Sequence, residues 1–387
     1  MRTQKDWFDL GVSYGESGLY QEAIEAYKQA IQIQPDNAAT HNNLGTAYGK
    51  SGLHKESIES YKQAIQIEPN DAAAHFNLGL AYRESGMFRE AIEAFRRAIQ
   101  LQPNKATAHC GLGLAYVESG MYQQAIEAFR RAIRIEPDNS TAHFNLGLAF
   151  RESCMYEEAI EAFRRAIQIQ PNDAAAYNNL GNAYVESGMY EEAIEAYKKA
   201  INIQPDNAAT HNNLGNAYGK SHLHKEEIES YRQAIRIEPN DATAHFNLGL
   251  AYQESGMFRE AIEAFKEAIR IQPNKAMAHC GLGLAYVESG MSGEAREVLK
   301  QAIQMRPYDA RTHYWLGITY GKSDNHKDAV EAYKQAIRIK PNYTDAHYHL
   351  GIAYTRLNDR KAALHEHSIL KKLDEQMADK LFKFIHE

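Results

Sequence analysis

The chain has 387 residues, a formal net charge of −7 and a sequence pI near 6.2. That length exceeds what one hydrophobic core serves, so several domains or an array are expected. The acidic balance speaks against a nucleic-acid surface. Three cysteines without CxxC spacing (Cys110, Cys154, Cys280) indicate neither a disulfide framework nor a zinc knuckle.

The N-terminus, MRTQKDWFDLG, lacks the apolar stretch of a secretion signal, and no apolar run is long enough to span a bilayer. The expected compartment is the cytoplasm, with no membrane partner. From Gln4 onward the chain repeats. All ten prolines, from Pro35 to Pro341, stand 34 residues apart, and AHCGLGLAYVESGM at 108–121 returns unchanged at 278–291. A fixed period of this length marks a solenoid of stacked units. Units begin at Gln4, Ala38, Ala72, Lys105 or Ala106, Ser140, Ala174, Ala208, Ala242, Ala276, Ala310 and Thr344, and no linker interrupts them.

The third unit shows how each is built. Asn70 and Asp71 are good helix N-caps, and Leu78, Ala81 and Tyr82 then recur at helical spacing. Gly86 supplies a left-handed turn. A second helix carries Ala91, Ile92, Phe95, Ala98, Ile99 and Leu101 on one stripe, and Pro103 cannot continue it. Helices of about 13 residues, roughly 20 Å long, are too short to be stable alone, so stacking must hold them.

Residues 38–139 and 208–308 are near-duplicates, as if a five-unit block had been copied once. Cys154, His222 and Asp324 replace the turn glycine, which predicts left-handed backbone at residues that resist it. Glu227 stands where the other ten units have alanine or serine, so its carboxylate must reach solvent or a partner base. The first helix starts with no separate N-terminal cap. At the other end, LDEQMADKLFKFIHE places Leu373, Met377, Leu381, Phe384 and Ile385 on one face, as a capping helix requires.

A Leu-Gly pair occurs in all eleven units, from Leu10-Gly11 to Leu350-Gly351, with an aromatic three residues after each glycine. With Trp7, Tyr14, Ala23, Tyr27, Ala30 and Pro35 in the first unit, this spacing resembles the tetratricopeptide repeat (TPR) family over residues 4 to about 372. The resemblance implies an all-α, right-handed superhelical solenoid of helix-turn-helix units. Eleven would fill residues 1–372, the last degenerate, and 373–387 would form the C-terminal capping helix. It also implies that first helices line a concave groove, the expected binding surface.

Asparagine precedes the leucine in six units: Asn43, Asn77, Asn145, Asn179, Asn213 and Asn247. This resembles the asparagine ladder in the tetratricopeptide domain of O-linked N-acetylglucosamine transferases, here without their catalytic domain. Such amides can bond a peptide backbone without reading its sequence; alternatively they bond within the array. Flanking columns alternate between apolar and amide. Phe76 with Leu80, Phe144 with Leu148 and Phe246 with Leu250 are apolar, whereas Asn178, Asn182, Asn212 and Asn216 are amides. All read as partner contacts, the alternative being packing between helices. A carboxylate row that includes Glu84, Glu118 and Glu254 borders the groove and suits a basic partner, unless it is merely solvated. The family's clamp for chaperone tails needs a lysine two residues before the leucine, which no unit has.

Nine histidines recur in the tryptophan column at spacings that preclude a shared metal, so they are expected to pack. No P-loop, GxSxG, HExxH or GxGxxG occurs, and neither a catalytic residue, a cofactor nor a metal is expected. The function expected is a protein-interaction scaffold holding a peptide or helix in the groove. The alternative is a self-assembling structural protein whose C-terminal helix docks into a neighbour's groove.

Overall fold

The computed structural model describes residues 2–387 and shows 23 α-helices and no strand among them. Two compact units divide the chain, Met1–Ile203 and Gln204–Glu387. The sequence had shown one uninterrupted array. In a repeat chain each pair packs on its neighbours, so no single core spans the length and compact parts can be separated.

The first unit holds α1 (Gln4–Glu16), α2 (Tyr20–Ile33), α3 (Ala38–Lys50), α4 (His54–Ile67), α5 (Ala72–Glu84) and α6 (Phe88–Leu101). It continues with α7 (Ala106–Glu118), α8 (Tyr122–Ile135), α9 (Ser140–Glu152), α10 (Tyr156–Ile169), α11 (Ala174–Glu186) and α12 (Tyr190–Ile203). The second unit holds α13 (Ala208–Lys220), α14 (His224–Ile237), α15 (Ala242–Glu254), α16 (Phe258–Ile271), α17 (Ala276–Glu288) and α18 (Ser292–Met305). There follow α19 (Ala310–Lys322), α20 (His326–Ile339), α21 (Thr344–Arg356), α22 (Arg360–Leu373) and α23 (Glu375–His386). The fourth pair starts at Ala106, with Lys105 as its cap residue.

Local chemistry sets these bounds. Asn37, Asp71, Asn139, Asp173, Asn207, Asp241 and Asp309 each accept a hydrogen bond from a first-turn N–H of the helix that follows. One expectation is corrected here: α1 does have an N-terminal cap. Thr3 Oγ1 accepts from the Asp6 N–H, and Asp6 Oδ2 accepts from the Thr3 N–H at 2.7 Å, which forms a capping box. Left-handed backbone appears at Cys154, His222 and Asp324 (φ 58°, 59° and 56°) as expected, and also at Asn358 (φ 59°).

The core repeats one contact. In nine of the eleven pairs a ring from the second helix lies on the glycine of its own first helix, as Tyr27 lies on Gly11, Phe163 on Gly147 and Tyr333 on Gly317. A Cβ added at any of these glycines would stand 2.5–2.8 Å from the ring. Phe95 is wedged between two glycines, Gly79 of its own pair and Gly111 of the next. Two pairs break the rule. Leu299 replaces the ring over Gly283, and in the last pair His367 occupies the ring position. There Leu381 from α23 covers Gly351 instead and is fully buried. With Ala378 and Ile385 it packs α23 onto the end of its own unit.

Eight histidines of the tryptophan column do more than pack. His41, His75, His109, His143, His211, His245, His313 and His347 each place Nε2 2.8–3.0 Å from the carbonyl of the proline six residues earlier. Each latches the incoming loop to the first helix it feeds. His279 differs and bonds the Lys275 carbonyl through Nδ1.

Candidate functional site

Within each unit, successive first helices touch one another far more closely than successive second helices do. The first-helix side is therefore the inner side of each stack, and the columns singled out from sequence belong to these first helices.

The ladder amides are engaged, not idle. Asn77 donates to Asn42 Oδ1 at 3.1 Å, and its counterpart Asn247 donates to Asn212 Oδ1 at 3.2 Å, each tying one first helix to the preceding one. Asn179 accepts from Arg151 at 2.7 Å and donates to the Ala175 carbonyl at 2.9 Å. Asn43 stands near the Tyr27 phenol, and Asn145 is buried. Asn178, Asn182 and Asn213 all have partners as well.

The alternation of apolar and amide columns has a packing cause. Where the second helix carries phenylalanine, the first carries apolar residues. Phe76, Phe144 and Phe246 lie against Phe95, Phe163 and Phe265 with ring centroids 5.7–5.8 Å apart. Tyr197 and Tyr231 are buried tyrosines of that same ring position, and each phenol must find an acceptor. Tyr197 donates to Asn182 Oδ1 and Tyr231 to Asn216 Oδ1, both at 2.7 Å. In the second pair Tyr61 meets Thr46 at 3.0 Å. From the second to the eighth pair, Tyr on the second helix goes with polar and Phe with apolar residues on the first, a covariation present in the sequence; Tyr27 and Tyr333 depart from it, with Val12 and Ile318 in the matching column.

Burial narrows the apolar contacts. Phe246, read from sequence as a partner contact, is only 8% exposed. It packs on Phe265 beneath the Lys275 ammonium, so it offers a ligand almost no surface. Phe76, Leu80, Phe144, Leu148 and Leu250 are half-buried. Most of the exposed large apolar side chains lie elsewhere, in turns and at helix ends, such as Met87, Met121 and Tyr308, with Phe382 exposed within α23. Along the carboxylate row, Arg83 pairs with Glu118 at 3.8 Å and Arg151 with Glu152 at 2.8 Å, so several of these charges are answered locally. Burial pushes the Cys110 thiol up to about 11 and that of Cys280 upward too, which makes both apolar fillers, not nucleophiles.

Two features escaped the sequence reading. Clefts open between neighbouring second helices, on the outer side. One of about 930 Å³ lies over α8, α9 and α10 and includes Arg130, Phe150, Glu161 and Arg164. Arg96, Arg164 and Arg232 hold the phenols of Tyr116, Tyr184 and Tyr252. Phe150 lacks that hydroxyl, and Arg130 lies over its ring at 5.4 Å.

The second feature is a side-chain cluster. Glu227 has found a partner base: its Oε2 lies 3.1 Å from His224 Nδ1, and the carboxylate rests over Gly219, where no side chain intervenes. Burial pushes its carboxyl up, the His224 hydrogen bond opposes this, and the Glu254 charge adds to it. His224, Glu227 and Glu254 each bring one ligand-capable atom within 4.8 Å of the others. No metal had been expected; the spacing of three and then 27 residues matches no motif, but Glu227 was the visible signal. His347 and His349 form no such cluster among the described residues. His347 Nδ1 meets Glu366 Oε2 at 2.6 Å, and His349 stacks on Tyr333.

Family comparison places "TPR repeat" matches at 11–52, 50–86, 79–120, 181–221 and 226–256. "Tetratricopeptide repeat" matches fall at 110–174 and 162–195. The chain belongs to the tetratricopeptide repeat family. A further match, "Psidin, N-terminal TPR repeats region", covers 251–380. Among solved structures, MamA is 30% identical over 42% of this chain and 95% of its own, with a TM-score of 0.41. YrrB, described as a TPR protein with an unusual peptide-binding site, is 24% identical over 48% and 96%, with a TM-score of 0.42. The APC/C hetero-tetramer Cut9–Hcn1 is 13% identical over 100% and 97%, with a TM-score of 0.50. No curated protein matched. This TPR chain is thus all-α, with helix pairs packed in succession. No helix among its described residues is long and apolar enough to cross a membrane.

Proposed function

We propose that this TPR protein is an interaction scaffold that binds an extended peptide or a helix along the first-helix face. One observation carries the reading: the amide pairs Asn77–Asn42 and Asn247–Asn212 recur at one register in both copies of the duplicated block. Each pair uses one N–H of the donor amide, and an asparagine has two. The inter-helix bond thus fixes the orientation of the amide while leaving it hydrogen-bonding capacity, which is preorganisation for a ligand backbone. Half-buried Leu80, Phe144, Leu148 and Leu250 occupy the flanking columns of the first helices and would take apolar side chains of the ligand. Duplication supplies two similar subsites, suited to one long or bivalent ligand.

The alternative, self-assembly through the C-terminal helix, has less support. In α23, Leu381 and Ile385 are already buried on the chain's own α21 and α22, so docking elsewhere requires peeling them away. A peptide selected from a random library against the full chain, then titrated calorimetrically, tests the proposal. Asn77→Ala combined with Leu148→Lys should weaken binding roughly tenfold or more, about 1.4 kcal/mol or above, with the helical content retained by circular dichroism. Unchanged affinity in that variant, with loss in Arg130→Glu, would move the site to the outer clefts and refute the proposal.

A further inference from the structure

The internal duplication supplies a comparison at the cluster on α14. Residues 170 positions apart correspond, so Gly52, His54, Ser57 and Glu84 of the first copy answer His222, His224, Glu227 and Glu254 of the second. In the first copy Ser57 turns away and donates to the Gly45 carbonyl at 2.7 Å. There His54 Nδ1 stands 3.8 Å from Glu84 and has no hydrogen-bond partner. In the second copy two changes convert this arrangement. Glu227 brings a carboxylate that is only 6% exposed to His224, and Glu254 faces both. His222 adds a second imidazole, its ring centroid 6.2 Å from that of His224.

We propose that His224, Glu227 and Glu254 form a binding site for one divalent transition-metal ion of the zinc class. One imidazole nitrogen and two carboxylate oxygens are a donor set for zinc or its neighbours, not for magnesium or calcium, which take oxygen shells. The ligands come from both ends of a rigid framework: His224 opens α14, Glu227 lies one turn further, and Glu254 closes α15. Packing of α14 on α15 fixes their separation. A cation also resolves the electrostatics, because two like carboxylates, one of them buried, then share a positive centre. Three protein ligands leave at least one position of a tetrahedral shell open, to water, to His222 after a rotamer change, or to a group on a bound partner.

The test is calorimetric titration of Zn²⁺, and separately Mg²⁺, into the full chain and three variants. Glu227→Ser installs the residue that the first copy tolerates, and circular dichroism checks that the helices persist. Glu227→Ser and His224→Asn should each weaken the tightest Zn²⁺ site by roughly tenfold or more, and Mg²⁺ should not compete. The third variant, Gly52→His with Ser57→Glu, rebuilds the cluster in the first copy and should bind one additional ion. The other histidines contribute a common background, so differences between chains are what count. Equal Zn²⁺ affinity in the parent chain and Glu227→Ser overturns the assignment. So does an unchanged stoichiometry in the rebuilt variant, or Mg²⁺ binding as tight as Zn²⁺.

Discussion

Gly181→Ala isolates the ring-on-glycine contact that nine of the eleven helix pairs share. In a helix interior this change ordinarily stabilises by roughly 0.5–1 kcal/mol, because alanine restricts the unfolded chain. Here the new methyl would stand 2.5, 2.7 and 2.8 Å from three atoms of the Tyr197 ring. Carbon atoms in ordinary contact are about 3.5–4.0 Å apart, so the ring must retreat by roughly 1 Å. It has nowhere to go: Tyr197 is 1% exposed, and its hydroxyl is anchored on Asn182. Overpacking of this kind costs about 1–3 kcal/mol, which leaves a net loss of roughly 0.5–2 kcal/mol after the backbone gain. Gly15→Ala is the control, since it lies inside α1 with nothing within 4 Å of the added carbon. It should stabilise by roughly 0.5–1 kcal/mol. Repeat arrays open locally, so amide hydrogen exchange in α11 and α12, alongside urea unfolding, reads the effect where it occurs. If both substitutions stabilise alike, the ring-on-glycine contact is not the tight joint described above.

Three further outcomes are expected. Cys154→Gly should stabilise the turn between α9 and α10 by roughly 1 kcal/mol, because glycine accepts φ 58° without a Cβ penalty; faster exchange in α10 would contradict this. Leu381→Ala should loosen α21 to α23 by about 2–5 kcal/mol, as Leu381 supplies the atoms nearest Gly351, and normal protease resistance of the C-terminal helix would argue otherwise. His347 is buried, which disfavours its charge, but its hydrogen bonds to Glu366 and the Pro341 carbonyl outweigh this and raise its pKa above the usual histidine value. Its contribution is therefore complete below about pH 6.5 and is lost as pH climbs through the folded-state value. Melting curves in mildly acidic and mildly alkaline buffer should show that loss in the parent chain and a flatter profile in Glu366→Ala. Parallel profiles would dissociate the pair from stability.

The period made the fold legible almost to the residue. Prolines and cap residues repeat in register with it, and ten of the eleven unit starts read from sequence coincide with helix starts, the other being settled at Ala106. The tail's apolar face was also visible, but not its purpose. That required noticing that His367 leaves Gly351 without its ring. The candidate site was less readable because a column fixes which face a side chain leaves from, not which neighbour it meets. Asn77 and Asn42 are 35 residues apart and meet only through helix packing. Phe76 and Phe246 share a column, yet only the latter is closed off from solvent. Glu227 was conspicuous as an exception, but its partners become visible only when α15 is packed beside α14.

The histidine latches make the array self-reporting. A proline carbonyl can only accept, so each latched ring must carry its proton on Nε2. Eight junctions therefore hold their imidazoles in one tautomer, and at seven of them Nδ1 is left over. Protonation of Nδ1 leaves the latch bond intact, so acid does not unfasten these joints by that route. Only at His347 is the second nitrogen also claimed, by Glu366. In nitrogen NMR the rings would act as evenly spaced gauges along the chain, each showing whether its own joint is closed.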